Sequence, residues 1–96
     1  MKTSIGTRRR GTDRAAMDLL EPGDYMHLVD DSRDYWVVGL PERNGVGDVV
    51  IGNLAGHRVI EHEDGTITVS PSILCSQGHN GFTWHGYLEH GRWRTV

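Results

Sequence analysis

Residues 57–70 read HRVIEHEDGTITVS, and this run most constrains what the chain can fold into. Two strand-like stretches flank Glu63-Asp64-Gly65, and an Asp-Gly pair between alternating residues is a strong short-range hairpin signal. On the outgoing strand Ile67 and Val69 face one way, with Thr66, Thr68 and Ser70 on the other. Pro71 stops that ladder. A second hairpin is written in residues 82–96, FTWHGYLEHGRWRTV, with its turn at Glu89-His90-Gly91. Phe82, Trp84, Gly86 and Leu88 share one face. Thr83, His85, Tyr87 and Glu89 share the other. Trp93, beyond the turn, is placed to pack across from Leu88 or Gly86.

Upstream of these hairpins the pattern is also of strands. Tyr25–Val29, Tyr35–Val38 and Asp48–Ile51 are short apolar or aromatic runs. They are separated by Asp30-Asp31-Ser32 and by PERNGVG at residues 41–47, both rich in turn formers, and Gly52-Asn53 breaks the third run. Thr12 is a candidate cap for a short helix that Pro22-Gly23 ends. The expected fold is mainly β: a small antiparallel β sandwich or barrel of about six short strands with one short N-terminal helix. With 96 residues the chain makes one domain with a thin core.

Charge divides the chain. In the first 14 residues Lys2, Arg8, Arg9, Arg10 and Arg14 face only Asp13, whereas the remainder holds five basic and twelve acidic side chains. Residues 1–11 are therefore read as a flexible basic arm and residues 12–96 as the β-rich domain. An acidic body is a poor nucleic-acid surface, which leaves nonspecific phosphate contact by Arg8, Arg9 and Arg10. One cysteine excludes an intrachain disulfide and fits a reducing cytoplasm. No apolar run is long enough to span a bilayer.

Chemistry-bearing residues gather late in the chain. Cys75 and His79 form a C-x₃-H pair followed by His85 and His90, a set that could supply zinc with N and S ligands. His57 is a further candidate ligand. Cys75 beside His79 or His85 could also form a nucleophile–base pair, but the surrounding residues match no protease signature. Glu61, Glu63, Asp64 and Glu89 lie at turns, where solvated carboxylates are ordinary. No glycine-rich phosphate loop is present. Tyr35, Trp36 and Tyr87 are candidates for an exposed aromatic patch that binds a partner.

The runs DGTITVSPSI at residues 64–73, WHGYL at residues 84–88 and GRW at residues 91–93 resemble a family of small proteins of unknown function. That family is common in bacteriophages, especially those of actinobacteria, and in mobile elements. The likeness covers residues from His57 onward. It implies a small β-rich fold and a phage or prophage setting. Relatives with a cysteine cluster before the DGT hairpin and a Cys/His pair after PSI imply zinc. Here Gly56-His57 stands where the cluster would end, and only Cys75 and His79 match the later pair. The resemblance brings no enzymatic activity.

The expectation is a phage-encoded, non-enzymatic accessory protein without a cofactor. It would act by protein–protein contacts in the host cytoplasm, on a host protein or on itself, and an acidic body favours a basic partner surface. The alternatives are a zinc-stabilised β module and a virion decoration or tail-associated component.

Overall fold

The computed structural model describes residues 2–30, 34–77 and 82–96, with the backbone alone for Gln77. The fold is mainly β, with one short helix. In chain order the elements are β1 (Lys2–Ile5), β2 (Thr7–Arg8), α1 (Arg14–Met17), β3 (Asp24–Val29), β4 (Asp34–Gly39) and β5 (Ile51–Asn53). They continue with β6 (Arg58–Glu61), β7 (Ile67–Ser70), β8 (Ile73–Gln77), β9 (Phe82–Glu89) and β10 (Arg92–Thr95). One four-stranded sheet has the order β1-β10-β9-β8, a second has β2-β3-β4-β5, and β6-β7 is a separate hairpin. Apart from the parallel β2–β3 pair, all these pairings are antiparallel.

The alternation read from the sequence decides which residues go inside. Trp84, Leu88 and Trp93 from the first sheet meet Tyr25, Trp36 and Val38 from the second. Ile67 and Val69 of the hairpin close the same core. Asp64-Gly65 makes the expected turn: Gly65 has φ +87 and the Asp64 carboxylate accepts from the Thr66 N–H at 3.0 Å. A second cluster of Leu20, Met26, Leu28 and Val37 lies on the other face of the second sheet, under Ala16 and Met17 of α1. The helix caps one residue later than expected, with Asp13 rather than Thr12 accepting from Ala16 N–H at 2.9 Å.

The flexible-arm expectation for residues 1–11 is corrected. Residues 2–8 are β1 and β2, one extended run that leaves the first sheet and enters the second at Gly6. A Cβ at Gly6 would stand 2.8 Å from both the Gly23 carbonyl oxygen and Trp93 Nε1, so the crossing needs a residue without one. Charge composition hides this pairing, because backbone groups carry the ladder and Lys2 and Ser4 need no apolar period. The third expected strand is also shifted. Gly52-Asn53 is in β5 rather than breaking it, since the glycine lets the strand approach Val38. β8 has no counterpart in the sequence reading: Ile73–Gln77 is short and mixed in polarity.

Two stability outcomes are expected. Trp84 is 2% exposed, and Trp84→Ala should cost about 3–5 kcal/mol in urea unfolding. Deleting residues 1–8 should cost at least about 2 kcal/mol, a fall in Tm of about 8–16 °C for a domain this size. An unchanged melting curve would show that β1 and β2 add nothing to the ladder.

Candidate functional site on the outer face of the first sheet

The two sheets differ in what covers them. The helix roofs the second sheet. Among the described residues, nothing roofs the outer face of β1-β10-β9-β8. Register and alternation place Thr3 and Ile5 of β1 on this face, with Arg92 and Arg94 of β10, Thr83, His85, Tyr87 and Glu89 of β9, and Leu74 and Ser76 of β8. Val96 continues the β10 row and donates its N–H to the His85 carbonyl at 3.0 Å. Ile5, Leu74 and Val96 are 78%, 65% and 67% exposed.

The centre of the face is a fixed pair. The Arg94 guanidinium lies 4.2 Å from the centroid of the half-buried Tyr87 ring. Its Nη2 donates to Glu89 Oε1 at 3.2 Å. A cation stacked on a ring and tethered to a carboxylate is held ready for contact rather than left to search rotamers. With Arg92 beside it, the face has two cations to one carboxylate, on a chain of net charge −3.

Next to this pair, His85 Nε2 and Ser72 Oγ share a hydrogen bond of 2.9 Å. His57 Nε2 donates to the Ser72 carbonyl at 3.2 Å, and its buried Nδ1 has no partner. Ser72 was not singled out in the sequence, although it stands directly after the strand-stopping Pro71. A serine–histidine pair suggests nucleophilic chemistry, but no carboxylate orients the second nitrogen of His85 among the described residues and the pair lies on an open face. Its role here is to tie the start of β8 to β9 and to the loop carrying His57.

The expected zinc set is not brought together. Cys75 is opposite Trp84 on the inner face, whereas His85 is on the outer face. His90 is six residues beyond Trp84, about 20 Å along an extended strand. There its ring stacks on His62 with centroids 3.8 Å apart, and its N–H donates to Thr68 Oγ1 at 2.9 Å. His79 lies outside the described residues. No three His, Cys, Asp or Glu side chains among those described are placed to hold a metal ion. Burial also pushes the Cys75 thiol up, opposite to what an activated nucleophile needs.

Of the expected aromatic patch, Tyr87 alone is on the open face. Trp36 is 8% exposed in the core, stacked on His27 with centroids 4.8 Å apart. Tyr35 is half-buried against the Leu20–Met26 cluster. The arginine run is also largely occupied. Arg8 lies over the Trp36 ring at 4.9 Å and donates to the Gly65 carbonyl at 3.0 Å and to the Glu61 carboxylate. Arg9 pairs with the buried Asp24 at 3.6 Å. Arg10 lies near the Gly65 turn. Phosphate would have to displace these partners from Arg8 and Arg9. A surface groove of about 530 Å³, between the end of α1 and the loop before β5, is lined by Leu19, Ile51 and the Arg43–Glu21 ion pair and gathers no nucleophile with a base. No helix among the described residues is long and apolar enough to cross a membrane.

The Arg8–Glu61 tie generates a pH prediction. The Arg8 hydrogen bond and charge hold the Glu61 carboxyl below its ordinary value of 4.5. The folded value being the lower one, the tie supports the fold above about pH 4.5 and is lost as pH falls through the depressed value. Asp64, held low by its hydrogen bonds from Thr66, adds in the same direction. Glu61→Gln should therefore lower Tm at neutral pH and flatten its decline in acid. Parallel wild-type and variant curves from pH 7 to 3 would refute the tie.

Comparison of the chain with protein-family models, with curated proteins and with solved structures finds no match.

Proposed function

We propose that this protein is a phage-encoded accessory protein that works by binding another protein rather than by catalysis, and that the outer face of β1-β10-β9-β8 is its contact surface. One observation carries the reading: a tethered Tyr87–Arg94 pair at the centre of an open face, flanked by Ile5, Leu74 and Val96. Tyrosine and arginine are enriched among residues that dominate protein interfaces, and an apolar surround helps exclude water from them. The fold gains nothing from leaving three large aliphatic side chains in water on one face.

The partner's chemistry follows from the charges on this face. Arg92 and Arg94 against Glu89 favour a partner with an acidic rim around an apolar centre. This replaces the basic partner that the acidic body suggests, because the surface meeting the partner has the opposite balance. The phage setting rests on the resemblance of the DGTITVSPSI, WHGYL and GRW runs, and host cytoplasm is the compartment that goes with it. A virion location is the second reading, favoured by the same open face if its partner is a coat or tail protein.

The test uses the full chain as bait in host extract, beside Tyr87→Ala and Arg94→Glu variants with matched circular dichroism. A captured protein is then purified and its affinity measured. Loss of either central side chain is expected to weaken binding by about 30-fold or more, as at an interface hot spot. A partner bound equally by wild type and both variants would place the contact surface elsewhere.

A further inference from the structure

We infer that β8 is a pairing edge through which two copies of this chain join into one continuous sheet. The inference does not rest on the outer-face reading; it concerns backbone groups at the rim of the sheet. The hydrogen-bond phase of β9 fixes which β8 groups are free. Val96 bonds to the His85 carbonyl, so His85 turns its backbone toward β10, and Trp84 and Gly86 turn theirs toward β8. Their partners Cys75 and Ile73 are thereby used. Leu74 and Ser76 direct N–H and C=O outward, and among the described residues nothing receives them. Ser72 points the same way, and its carbonyl is already taken by His57.

The other sheet edges are protected and this one is not. β1 carries Lys2 in an ion pair with Glu42, β2 is two residues long, β5 is three, and β6 holds Arg58 and Glu61. β7 accepts from the β9–β10 turn, its Ile67 carbonyl from Gly91 N–H and its Thr68 hydroxyl from His90 N–H. Charges and short length are how sheet edges avoid pairing with other chains. β8 is five residues, ILCSQ, without a charge, and its Leu74 is 65% exposed. An unused ladder asks for a strand, and the strand it fits is its own copy. In an antiparallel pair about a two-fold axis, Leu74 meets Ser76 of the other copy and Ser76 meets Leu74, so each free residue bonds to a free residue. The two Leu74 side chains then lie diagonally across the joint, within mutual reach at about 7–8 Å between backbones. No like charges are brought together, although each chain carries −3.

This register sets Cys75 directly opposite Cys75 of the second copy in a non-hydrogen-bonded pair. Such pairs have Cα atoms about 4.5 Å apart, inside the range of about 4.4–6.8 Å that a disulfide spans. The cysteine is the reporter here, not the cause of pairing.

The experiment is sedimentation of the full chain over a concentration series, with diamide oxidation as a second readout. Wild type is expected to dimerise and, on oxidation, to give a covalent dimer as diamide takes up two electrons and two protons from the two thiols. Cys75→Ser should dimerise without the covalent product. Ser76→Pro removes an outward N–H where an edge strand tolerates proline, and should weaken dimerisation at least about tenfold while near-ultraviolet circular dichroism stays native. Leu74→Lys guards the edge and should act alike. Arg94→Glu should leave the dimer intact, which separates this edge from the outer-face contact. A wild type that remains monomeric up to about 1 mM overturns the inference. So does a dimer indifferent to both edge variants, or a β8 edge that accepts a strand only from a different protein.

Discussion

The indole of Trp93 holds the two sheets in one molecule. Its ring meets Trp84 edge-on at 5.4 Å, and its Nε1–H donates to the Gly23 carbonyl at 2.9 Å. Gly23 leads into β3, so one buried side chain of the first sheet is bonded to the entrance of the second. The geometry around it is set by what is missing. A Cβ at Gly86 would stand 2.4 Å from the Arg94 carbonyl oxygen and 2.5 Å from the Trp84 ring. At Gly6 it would strike Trp93 itself. The two bare positions let the Trp84 ring lie close over Gly86 of β9 and let the N-terminal strand pass over Trp93 from sheet to sheet. That crossing brings Arg8 to Trp36 and to the Glu61 hairpin, so the hairpin is pinned by the same strand that joins the sheets.

How much of this was legible depends on which atoms carry each feature. Side-chain periodicity wrote the two C-terminal hairpins, and the inward set of Trp84, Leu88, Ile67 and Val69 follows from it. The Trp93–Leu88 pairing follows as well. What backbone atoms carry was illegible. β1 pairs through its main chain while presenting Lys2, Thr3 and Ser4, and nothing in those side chains separates it from a solvated arm. The arginine run looked like a phosphate arm because sequence gives charge without its partners; Trp36, Glu61 and Asp24 come from remote segments. The described members of the zinc set are separated for a related reason. Four residues within 16 positions were close in sequence, but a strand sends alternate side chains to opposite faces, which separates Cys75 from His85.

The outer face was half legible. Alternation placed Tyr87 and His85 opposite the core, yet gave no sign that this face stays open while the matching face of the second sheet is roofed. That difference is a property of topology. The one helix among the described residues follows β2 and packs on β3, so it falls on the second sheet.

This asymmetry bears on function. A thin two-sheet domain has little apolar surface to spare, and the second sheet shows the economical arrangement, with Met26, Leu28 and Val37 buried under Leu20 and the helix. The first sheet departs from it twice. It leaves Ile5, Leu74 and Val96 in water around an ordered arginine–tyrosine pair, and it leaves its β8 rim without the charges that guard its other edge. Neither departure stabilises an isolated chain. Both lie on one sheet, and Leu74 belongs to both: its side chain stands on the open face and its backbone on the open rim. A pair of chains joined at β8 would extend that face across the joint into a surface of twice the width, presenting two Tyr87–Arg94 pairs in the same plane. Self-pairing and partner contact are then successive uses of one sheet, with the edge setting the spacing of the two contact centres.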